Sequence, residues 1–335
     1  MLILGIECTA HSFGIGIIKV KGNVNYISEK NILFSEKSVF QSENSGMDLR
    51  KLTEFHTKNF DSILVQAKIY LNSINKNFED IDLISFSQGP GLGNSLKIAT
   101  LVAKTLSLKY NIKIIGVNHI RSHLEIGKTL TGAKDPIFLN ITGVNSQVIA
   151  KSENNNYKVY GETDDIGLGN LFDNVARQFK LGFPGGPEIE KLAKNGKKYI
   201  SFPYTLKGMN ISLAGINSFV KQQLLKGETK EDLSYSLQET VFAMIMEIAE
   251  RAMAYTNKKE LVIVGGVASN QRFVEMAKSM CKIRKAKYLA TPLKYCMDNG
   301  AMIAWLGYLE RDRSELFKNI KTLQSKPYIT IETEL

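Results

Sequence analysis

The sequence lacks the hallmarks of several protein classes. Its 335 residues contain only three cysteines, Cys8, Cys281 and Cys296, and no CxxC spacing. This excludes a disulfide framework and a zinc ribbon, and it fits a reducing compartment. No apolar run reaches the roughly 18 residues that a membrane span requires, and the N-terminus has no secretory signal. We therefore expect a globular, cytoplasmic protein with no membrane partner.

Acidic residues are scarcer than basic ones. The 33 Asp and Glu residues face 43 Lys and Arg, which gives a formal net charge of +10, and basic residues are denser at 191–226 and 274–294. This excess favours a polyanionic partner such as nucleic acid, because each neutralised phosphate releases counterions. Lysine-rich composition is also common in proteins of AT-rich genomes, so charge alone leaves both interpretations open.

A weak internal repeat indicates duplication. Residues 2–28 and 136–162 each read as three short strands joined by turns, and residues 81–108 and 260–281 each read as a strand, a Gly-rich loop and a helix. Such halves predict an α/β protein with two lobes and a ligand-binding cleft between them. We expect a first lobe at 1–130, a second at 131–320 with a helical insertion at about 166–225, and a tail at 321–335.

The Gly-rich turns are candidates for nucleotide contact. Gly89, Gly91 and Gly93 precede one helix, and the turn beginning at Gly265 precedes another, with Ser269 or Asn270 as the N-cap. Neither a Walker A motif nor GxGxxG occurs. Close packing of a strand against a helix is the alternative explanation for these glycines.

A further turn around Gly186 lies between two acidic residues, Asp173 and Glu190. Carboxylates near a bound nucleotide accept hydrogen bonds from ribose hydroxyls, whereas acidic residues in a first helical turn also interact with the helix dipole. The pattern alone does not choose between these roles.

Two of the four histidines, His119 and His123, are four residues apart in "GVNHIRSHLEIG". On a helix their imidazoles share one face, as metal ligands do, although unrelated surface histidines also occur at this spacing. A zincin peptidase is excluded, because HExxH needs Glu directly after the first histidine and Ile120 stands there.

Taken together, the motifs resemble the TsaD family, once described as Gcp glycoprotein endopeptidases, and in particular its archaeal and eukaryotic branch, which acts in the KEOPS complex. The resemblance covers residues 1 to about 312 and includes these segments in family order: "GIECTAHSFGIGI", "SQGPGLGNSLKIATLVAKTLSL", "GVNHIRSHLEIG", "GETDDIGLGN", "PGGPEIEKLAKNGKKYI", "KGMNISLAGI", "SLQETVFAMIMEIAERAMAYT", "VGGVASNQR" and "DNGAMIAWLGYLE".

This resemblance implies an actin- and hexokinase-like (ASKHA) fold and a metal-dependent acyltransferase. The reaction would transfer the threonylcarbamoyl group from threonylcarbamoyl-adenylate to N6 of the adenosine 3′ of the anticodon, in tRNAs that read codons starting with A, with release of AMP. The implied partners are tRNA and KEOPS subunits, including a small atypical protein kinase and a small dimerising subunit.

The resemblance also implies the site residues. It places one divalent metal, Fe²⁺ in the first instance and Zn²⁺ as an alternative, on His119, His123 and Asp298, with Asp298 approaching from the opposite lobe. The adenylate, AMP or ATP would contact a second set of residues. These are Asn140, Ile141, Thr142, Gly143, Val144, Asp173, Gly186, Glu190, Gly265, Gly266 and Asn270.

Several residues depart from the family pattern. Asn140 replaces a tyrosine that contributes to the metal site, Val144 replaces a glycine, and Cys8 stands where this branch usually has a glycine. An amide oxygen is a weaker ligand than a phenolate, so we expect Asn140 to be a weak or absent fourth ligand. The alternative function is therefore a catalytically impaired scaffold in a KEOPS-like complex. A kinase of the same fold is disfavoured, because the first turn has Glu7 and Cys8 in place of a phosphate-hydrolysing Asp arrangement.

Overall fold

The computed structural model describes residues 1–41, 48–143, 146–314, 320 and 322–333. Within these ranges the chain forms two compact units. The first comprises Met1–Gln41, Met47–Gly132 and Met297–Leu335, and the second is built from Ala133–Cys296. The boundary between the two units, after Gly132, lies close to the predicted boundary after residue 130. The second lobe was predicted to extend to residue 320, but the chain after Cys296 belongs to the first unit.

The first unit is a five-stranded mixed sheet with helices. Its strands have the order β3-β2-β1-β4-β5, in which β1, β2 and β3 are antiparallel while β4 and β5 run parallel to β1. Every residue of β1 is buried, as expected for an apolar central strand. The elements are β1 Leu2–Glu7, β2 Ser12–Lys19, β3 Ile32–Val39, α1 Leu49–Ser73, β4 Leu83–Gly89, α2 Gly93–Tyr110, β5 Lys113–Asn118 and α3 His119–Thr131.

The second unit repeats this arrangement. Its sheet has the order β12-β11-β6-β7-β8, with β6, β7 and β8 antiparallel and with β11 and β12 parallel to β6. The predicted duplication is therefore confirmed. The elements are β6 Ile137–Ile141, β7 Ser146–Lys151, β8 Tyr157–Glu162, α4 Leu168–Gln178, α5 Gly185–Ala193, β9 Leu206–Lys207, β10 Asn210–Ile211, α6 Ala214–Leu225, α7 Lys230–Thr256, β11 Glu260–Val264, α8 Gln271–Ile283, β12 Lys287–Ala290 and α9 Leu293–Cys296.

The two units differ in one connection. Between β3 and β4 the described part of the first unit has α1, whereas the second unit has α4 to α7 and the β9–β10 hairpin between β8 and β11. Helices α4 to α6 lie within the range predicted for the insertion. They pack with α7 over a large apolar core on one face of the sheet.

Helix α10 (Gly300–Leu309) returns to the first unit and packs on β1 and β2. It is apolar on all sides, and every residue from Gly300 to Tyr308 is buried. Paired glycines of the sheet permit this contact, since a Cβ on Gly5 would lie 2.0 Å from the Gly300 carbonyl oxygen and one on Gly16 2.1 Å from the Ala301 nitrogen. No helix in the described ranges is both long and apolar enough to cross a membrane.

Candidate metal centre and nucleotide-side residues

The two histidines are positioned by the junction of β5 and α3. Asn118 ends β5, and its side-chain oxygen accepts hydrogen bonds from the backbone nitrogens of Ile120 (3.0 Å) and Arg121 (3.1 Å). This N-cap starts the helix at His119, so His123 lies one turn further on the same face. The imidazole rings are perpendicular, with centroids 4.8 Å apart. The predicted shared face is confirmed.

Asp298 completes a three-residue cluster with them. Its Oδ1 lies 3.1 Å from Nε2 of His123 and 3.7 Å from Nε2 of His119. The next residue, Asn299, caps α10 by accepting a hydrogen bond from the Met302 nitrogen (2.9 Å), which fixes the chain beside Asp298. All three ligand atoms lie within 4.8 Å of one another.

The expectation that Asp298 approaches from the opposite lobe was wrong. Asp298 belongs to the first unit together with His119 and His123. The physical reason is α10, which follows Asp298 directly and buries its apolar surface on β1 and β2 of that unit.

Glu7 orients one of the histidines, a role that was not predicted from the sequence. Its Oε2 lies 3.0 Å from Nδ1 of His119, and its Oε1 accepts hydrogen bonds from the Thr9 nitrogen (2.9 Å) and hydroxyl (2.6 Å). Glu7 is fully buried at the end of β1. The sequence feature that could have indicated this role is a carboxylate at the end of an otherwise apolar strand.

The Glu7 contact determines how His119 can act. If Nδ1 carries the proton that Glu7 accepts, Nε2 keeps its lone pair and points toward Asp298. Carboxylate–histidine pairs of this kind commonly support metal ligands. The Nδ1 atom of His123 is buried and has no hydrogen-bond partner among the described residues.

The cluster contains two carboxylates, Glu7 and Asp298, and lies beside one lysine. Lys37 of β3 donates from Nζ to the Asp298 backbone carbonyl (2.9 Å), and burial lowers the pKa of this lysine. Burial also opposes protonation of His119, but the charge and hydrogen bond of Glu7 together with the charge of Asp298 raise its pKa to about 9. For His123, burial is the main cause of a lowered pKa. Two carboxylates beside two imidazoles make a suitable setting for a divalent cation.

The Gly89 loop is packed against the chain itself. A Cβ on Gly89 would lie 1.9 Å from the Lys326 carbonyl oxygen, and one on Gly91 would lie 2.7 Å from the Thr9 carbonyl oxygen. The Lys326 nitrogen also donates to the Gln88 carbonyl (2.7 Å). These contacts explain the glycines of this loop by close packing against the Lys326 segment and Thr9, which is a different packing from the strand–helix contact considered from the sequence.

The residues expected on the nucleotide side lie in the second unit, some at the carboxyl ends of β6 and β11 and others on α4 and α5. Asn140 pairs with Val264 across these parallel strands. Gly265 has a φ of +96°, and a Cβ there would lie 2.1 Å from the Ile141 carbonyl oxygen. Thr142 and Gly143 accept hydrogen bonds from the nitrogens at the start of α4, at 3.3 and 3.0 Å. Val144 lies outside the described residues.

The polar members of this group support the surrounding turns. Asp173 accepts a hydrogen bond from the Gly185 nitrogen (2.7 Å), and Glu190 accepts one from the Gln271 nitrogen (3.0 Å). Asn270 is the N-cap of α8, as the sequence predicted, and its amide nitrogen donates to Gln238 (2.7 Å).

Two further features leave room for a ligand. A Cβ on Gly266 would meet no atom within 4 Å, and one on Gly186 would meet only a Phe172 ring carbon at 3.9 Å. The amide oxygen of Asn140 is buried without a hydrogen-bond partner among the described residues, an arrangement that is costly unless a ligand supplies a donor or a positive charge.

Comparison with solved structures supports the actin-like fold class. The structure resembles Thermococcus kodakarensis HypF with a TM-score of 0.61 at 14% identity, covering 93% of this chain and 48% of that one. It also resembles the activator of 2-hydroxyisocaproyl-CoA dehydratase from Clostridium difficile, with a TM-score of 0.53 at 15% identity over 93% of this chain and 96% of that one. At these identities the likeness concerns the fold alone.

Sequence comparison is more specific. Residues 31–305 match the model of the family described as TsaD, tRNA N6-adenosine threonylcarbamoyltransferase. Proteins with that name from Nanoarchaeum equitans and Thermococcus sibiricus are 48% and 43% identical, over 92% and 100% of this chain and 93% and 99% of their own length. A Methanocaldococcus jannaschii protein named as probably bifunctional in tRNA threonylcarbamoyladenosine biosynthesis is 43% identical over 96% of this chain and 59% of its own. The chain therefore belongs to the TsaD family of tRNA N6-adenosine threonylcarbamoyltransferases.

Proposed function

We propose that the protein transfers a threonylcarbamoyl group from threonylcarbamoyl-adenylate to N6 of the adenosine 3′ of the anticodon, in tRNAs that read codons starting with A. In this step a bond forms between N6 and the carbamoyl carbon, the bond from that carbon to the phosphate oxygen breaks, N6 loses a proton, and AMP leaves. An exocyclic amine is a poor nucleophile, so the reaction needs a polarised carbonyl and accurate positioning. The observation that carries the proposal is the His119, His123 and Asp298 cluster.

The cluster fits a divalent metal. Two imidazole nitrogens and one carboxylate oxygen converge, the buried Glu7 carboxylate fixes the ring of His119, and three protein ligands leave coordination positions open, as catalytic sites require. When bound, the metal would act as a Lewis acid and as a template for the substrate's oxygens. Fe²⁺ is our first candidate and Zn²⁺ the second, because both accept nitrogen and carboxylate ligands.

Asn140 is proposed as a weak or absent fourth ligand. Its amide oxygen is buried and without a described partner, so it is able to accept from a ligand or to approach a cation. It lacks the phenolate that the family pattern places there. We therefore expect substoichiometric metal in purified protein, and activity that rises when metal is added.

Asp173 and Glu190 are proposed to hold the ribose of the adenylate, AMP or ATP. Each carboxylate accepts a hydrogen bond from a backbone nitrogen, which fixes its position, and a carboxylate is the kind of acceptor that ribose hydroxyls need. The open space at Gly186 and Gly266 is consistent with close approach of a ligand to the backbone. The short segment from Asn140 to Val144 would lie near the phosphate or threonylcarbamoyl end.

The proposed partners are tRNA and the subunits of a KEOPS-like complex, including a small atypical kinase and a small dimerising subunit. The basic net charge supports a tRNA substrate. The relative from Methanocaldococcus jannaschii has substantial sequence outside the matched region and is named as probably bifunctional, which fits a partner domain fused in that protein. A cytoplasmic location stays a prediction.

A histidine double substitution tests the metal centre. His119→Ala/His123→Ala should lose bound metal and threonylcarbamoyl transfer, while Gln222→Ala, which changes an exposed residue of α6 in the second unit, should keep both. The measurements are metal content by elemental analysis and transfer to tRNA, with and without chelator. Full transfer by the double variant in chelator would show that the two imidazoles are not ligands.

The second candidate function is a scaffold with impaired catalysis. Asn140 favours it, because the family pattern has a tyrosine at this position. The two functions can be distinguished by measuring complex assembly and threonylcarbamoyl transfer with the wild-type protein, in the presence of metal and partner subunits. Assembly of the complex without transfer would support the scaffold and contradict the transferase.

A further inference from the structure

A lysine-lined cavity lies at the amino ends of the parallel strands of the second unit. Its volume is about 400 Å³, and its lining comes from the segments that precede or begin β6, β11 and β12 and from the end of α7. We call it the lysine cavity. Its lining residues are Lys134, Asp135, Thr256, Asn257, Lys258, Lys259, Glu260, Lys285 and Lys287.

The lysine cavity has a net positive charge, since its lining contains five lysines and two carboxylates. Both carboxylates are already engaged. Glu260 accepts hydrogen bonds from the backbone nitrogens of Lys134 (2.8 Å) and Asp135 (3.0 Å), and Asp135 pairs with the largely buried Lys258.

Three of the remaining lysines are free to meet an anion. Lys259, Lys285 and Lys287 are exposed, and none has an ion pair with a carboxylate in the described part of the chain. Lys285 and Lys287 belong to the basic segment 274–294 of the sequence. The proposed chemistry of the metal centre does not use this charge.

An exposed tyrosine adjoins the lysine cavity in the sequence. Tyr255 directly precedes the lining residue Thr256, and 82% of its surface is exposed. Its ring centroid is 6.1 Å from that of Tyr160, and the Lys158 ammonium lies 5.7 Å from the Tyr160 ring. Lysines beside an exposed aromatic ring suit a nucleic acid, because they bind phosphates while the ring stacks on a base.

We propose that the lysine cavity and Tyr255 form an RNA-binding surface that holds a part of the tRNA remote from the reacting adenosine. The cavity lies at the amino ends of β6 and β11, whereas the proposed adenylate residues Asn140, Gly265 and Gly266 lie at or just after their carboxyl ends. A strand of five residues separates these edges by about 16 Å. The inference rests on the proposed function, since a tRNA is the RNA that the enzyme would need to hold.

Charge neutralisation tests the surface. The variant Lys259→Gln/Lys285→Gln/Lys287→Gln should bind unmodified tRNA about ten-fold more weakly at low salt. The slope of log affinity against log salt should fall by about two to three, close to one for each lysine–phosphate pair removed. The assay is tRNA binding by the full-length protein, by filter retention or fluorescence anisotropy, across a salt series.

A matched control removes the same charge elsewhere. Lys68→Gln/Lys76→Gln/Lys198→Gln changes three lysines outside the cavity, and two of them already pair with carboxylates, Lys76 with Asp80 and Lys198 with Glu228. We expect its salt slope to stay closer to that of the wild type. Equal affinities and slopes for the two triple variants would overturn the proposal.

The aromatic ring has its own test. Tyr255→Ala should weaken tRNA binding by about five-fold or more, because stacking on one base contributes that much, while Tyr255→Phe should keep the affinity. Equal binding by Tyr255→Ala and the wild type would contradict the stacking role.

The readout separates this proposal from the proposed function. Transfer activity tests the reaction, whereas tRNA affinity and its salt slope test the surface without any transfer. A cavity variant that keeps wild-type tRNA binding but loses an acidic protein partner would identify a protein-binding surface, and our assignment to RNA would be wrong.

Discussion

The substitution Glu7→Gln isolates the role of the buried carboxylate beside His119. The carbonyl oxygen of the new glutamine would take the place of Oε1, because it can accept the hydrogen bonds that the Thr9 nitrogen and hydroxyl donate there. Its amide nitrogen would then face Nδ1 of His119 in place of Oε2. An amide nitrogen is a donor, so Nδ1 must accept and the ring proton must move to Nε2. That tautomer removes the lone pair from the nitrogen nearest Asp298.

The expected loss of metal affinity is about 10- to 100-fold, or about 1.4 to 2.7 kcal/mol, as for other residues that orient a ligand. The loss should depend on pH. Glu7 contributes to the raised His119 pKa of about 9, so in the wild type a metal must displace a proton from this ring below that pH. The variant should have a lower His119 pKa and less proton competition. We therefore expect the full difference near pH 9 and a smaller one at pH 7.

The assay is titration with Co²⁺ against a competing chelator from pH 7 to pH 9, with Glu36→Gln as the control. Glu36 is an exposed carboxylate on β3 of the same unit. Thermal unfolding of the metal-free proteins would show whether the variant is folded. Equal Co²⁺ affinity of Glu7→Gln and wild type at pH 9 would refute the proposed orienting role.

Three further predictions concern other parts of the molecule. Asp173→Asn and Glu190→Gln keep the carbonyl acceptor for the Gly185 and Gln271 nitrogens but remove the charge. Each should weaken AMP binding several-fold in calorimetry, and unchanged affinity would contradict the ribose assignment. Asn140→Tyr should raise metal content, and equal occupancy in variant and wild type would exclude residue 140 as a ligand position. Asp165 accepts hydrogen bonds from the Leu213 and Ala214 nitrogens at the start of α6; burial raises its pKa, but these and its other hydrogen bonds lower it overall. Asp165→Asn should therefore lower the free energy of unfolding by about 1 kcal/mol at pH 7 in denaturant titration. Because this contribution exists above the unfolded pKa and is lost as pH falls through the lowered folded pKa, the difference should begin to shrink near pH 4, about the unfolded pKa, and disappear only below the lowered folded pKa. A difference that persists in acid would point to packing as its cause.

The duplicated fold could be predicted from the sequence because strand patterns and Gly-rich loops are local signals. The two sheets have matching strand orders, as the repeat indicated. The shared helical face of His119 and His123 was equally local, because it depends only on helical periodicity and the Asn118 cap.

Properties that depend on long-range packing were not predictable in the same way. The chain order suggested that Asp298 stays with the second lobe, but α10 is buried on the first sheet, where Gly5 and Gly16 make room for its backbone. Glu7 was seen as a polar residue in the first turn, yet its link to His119 spans 112 residues of sequence. The Gly89 loop was interpreted as a possible ligand-binding loop. Its actual contact is with Lys326, which is far away in the sequence, so a local pattern could not indicate it.

The return of α10 to the first unit has a consequence for synthesis on the ribosome. The described part of the second unit, Ala133–Cys296, is continuous in sequence, so we expect it to fold once it has emerged, as domains generally do. The first sheet must wait for Gly300–Leu309 to cover the glycines of β1 and β2. His119 and His123 are thus made long before Asp298, and a nascent chain lacks the complete ligand set until synthesis has passed residue 298. The three ligands can therefore bind a metal together only after Asp298 has been synthesised and α10 has packed on the first sheet.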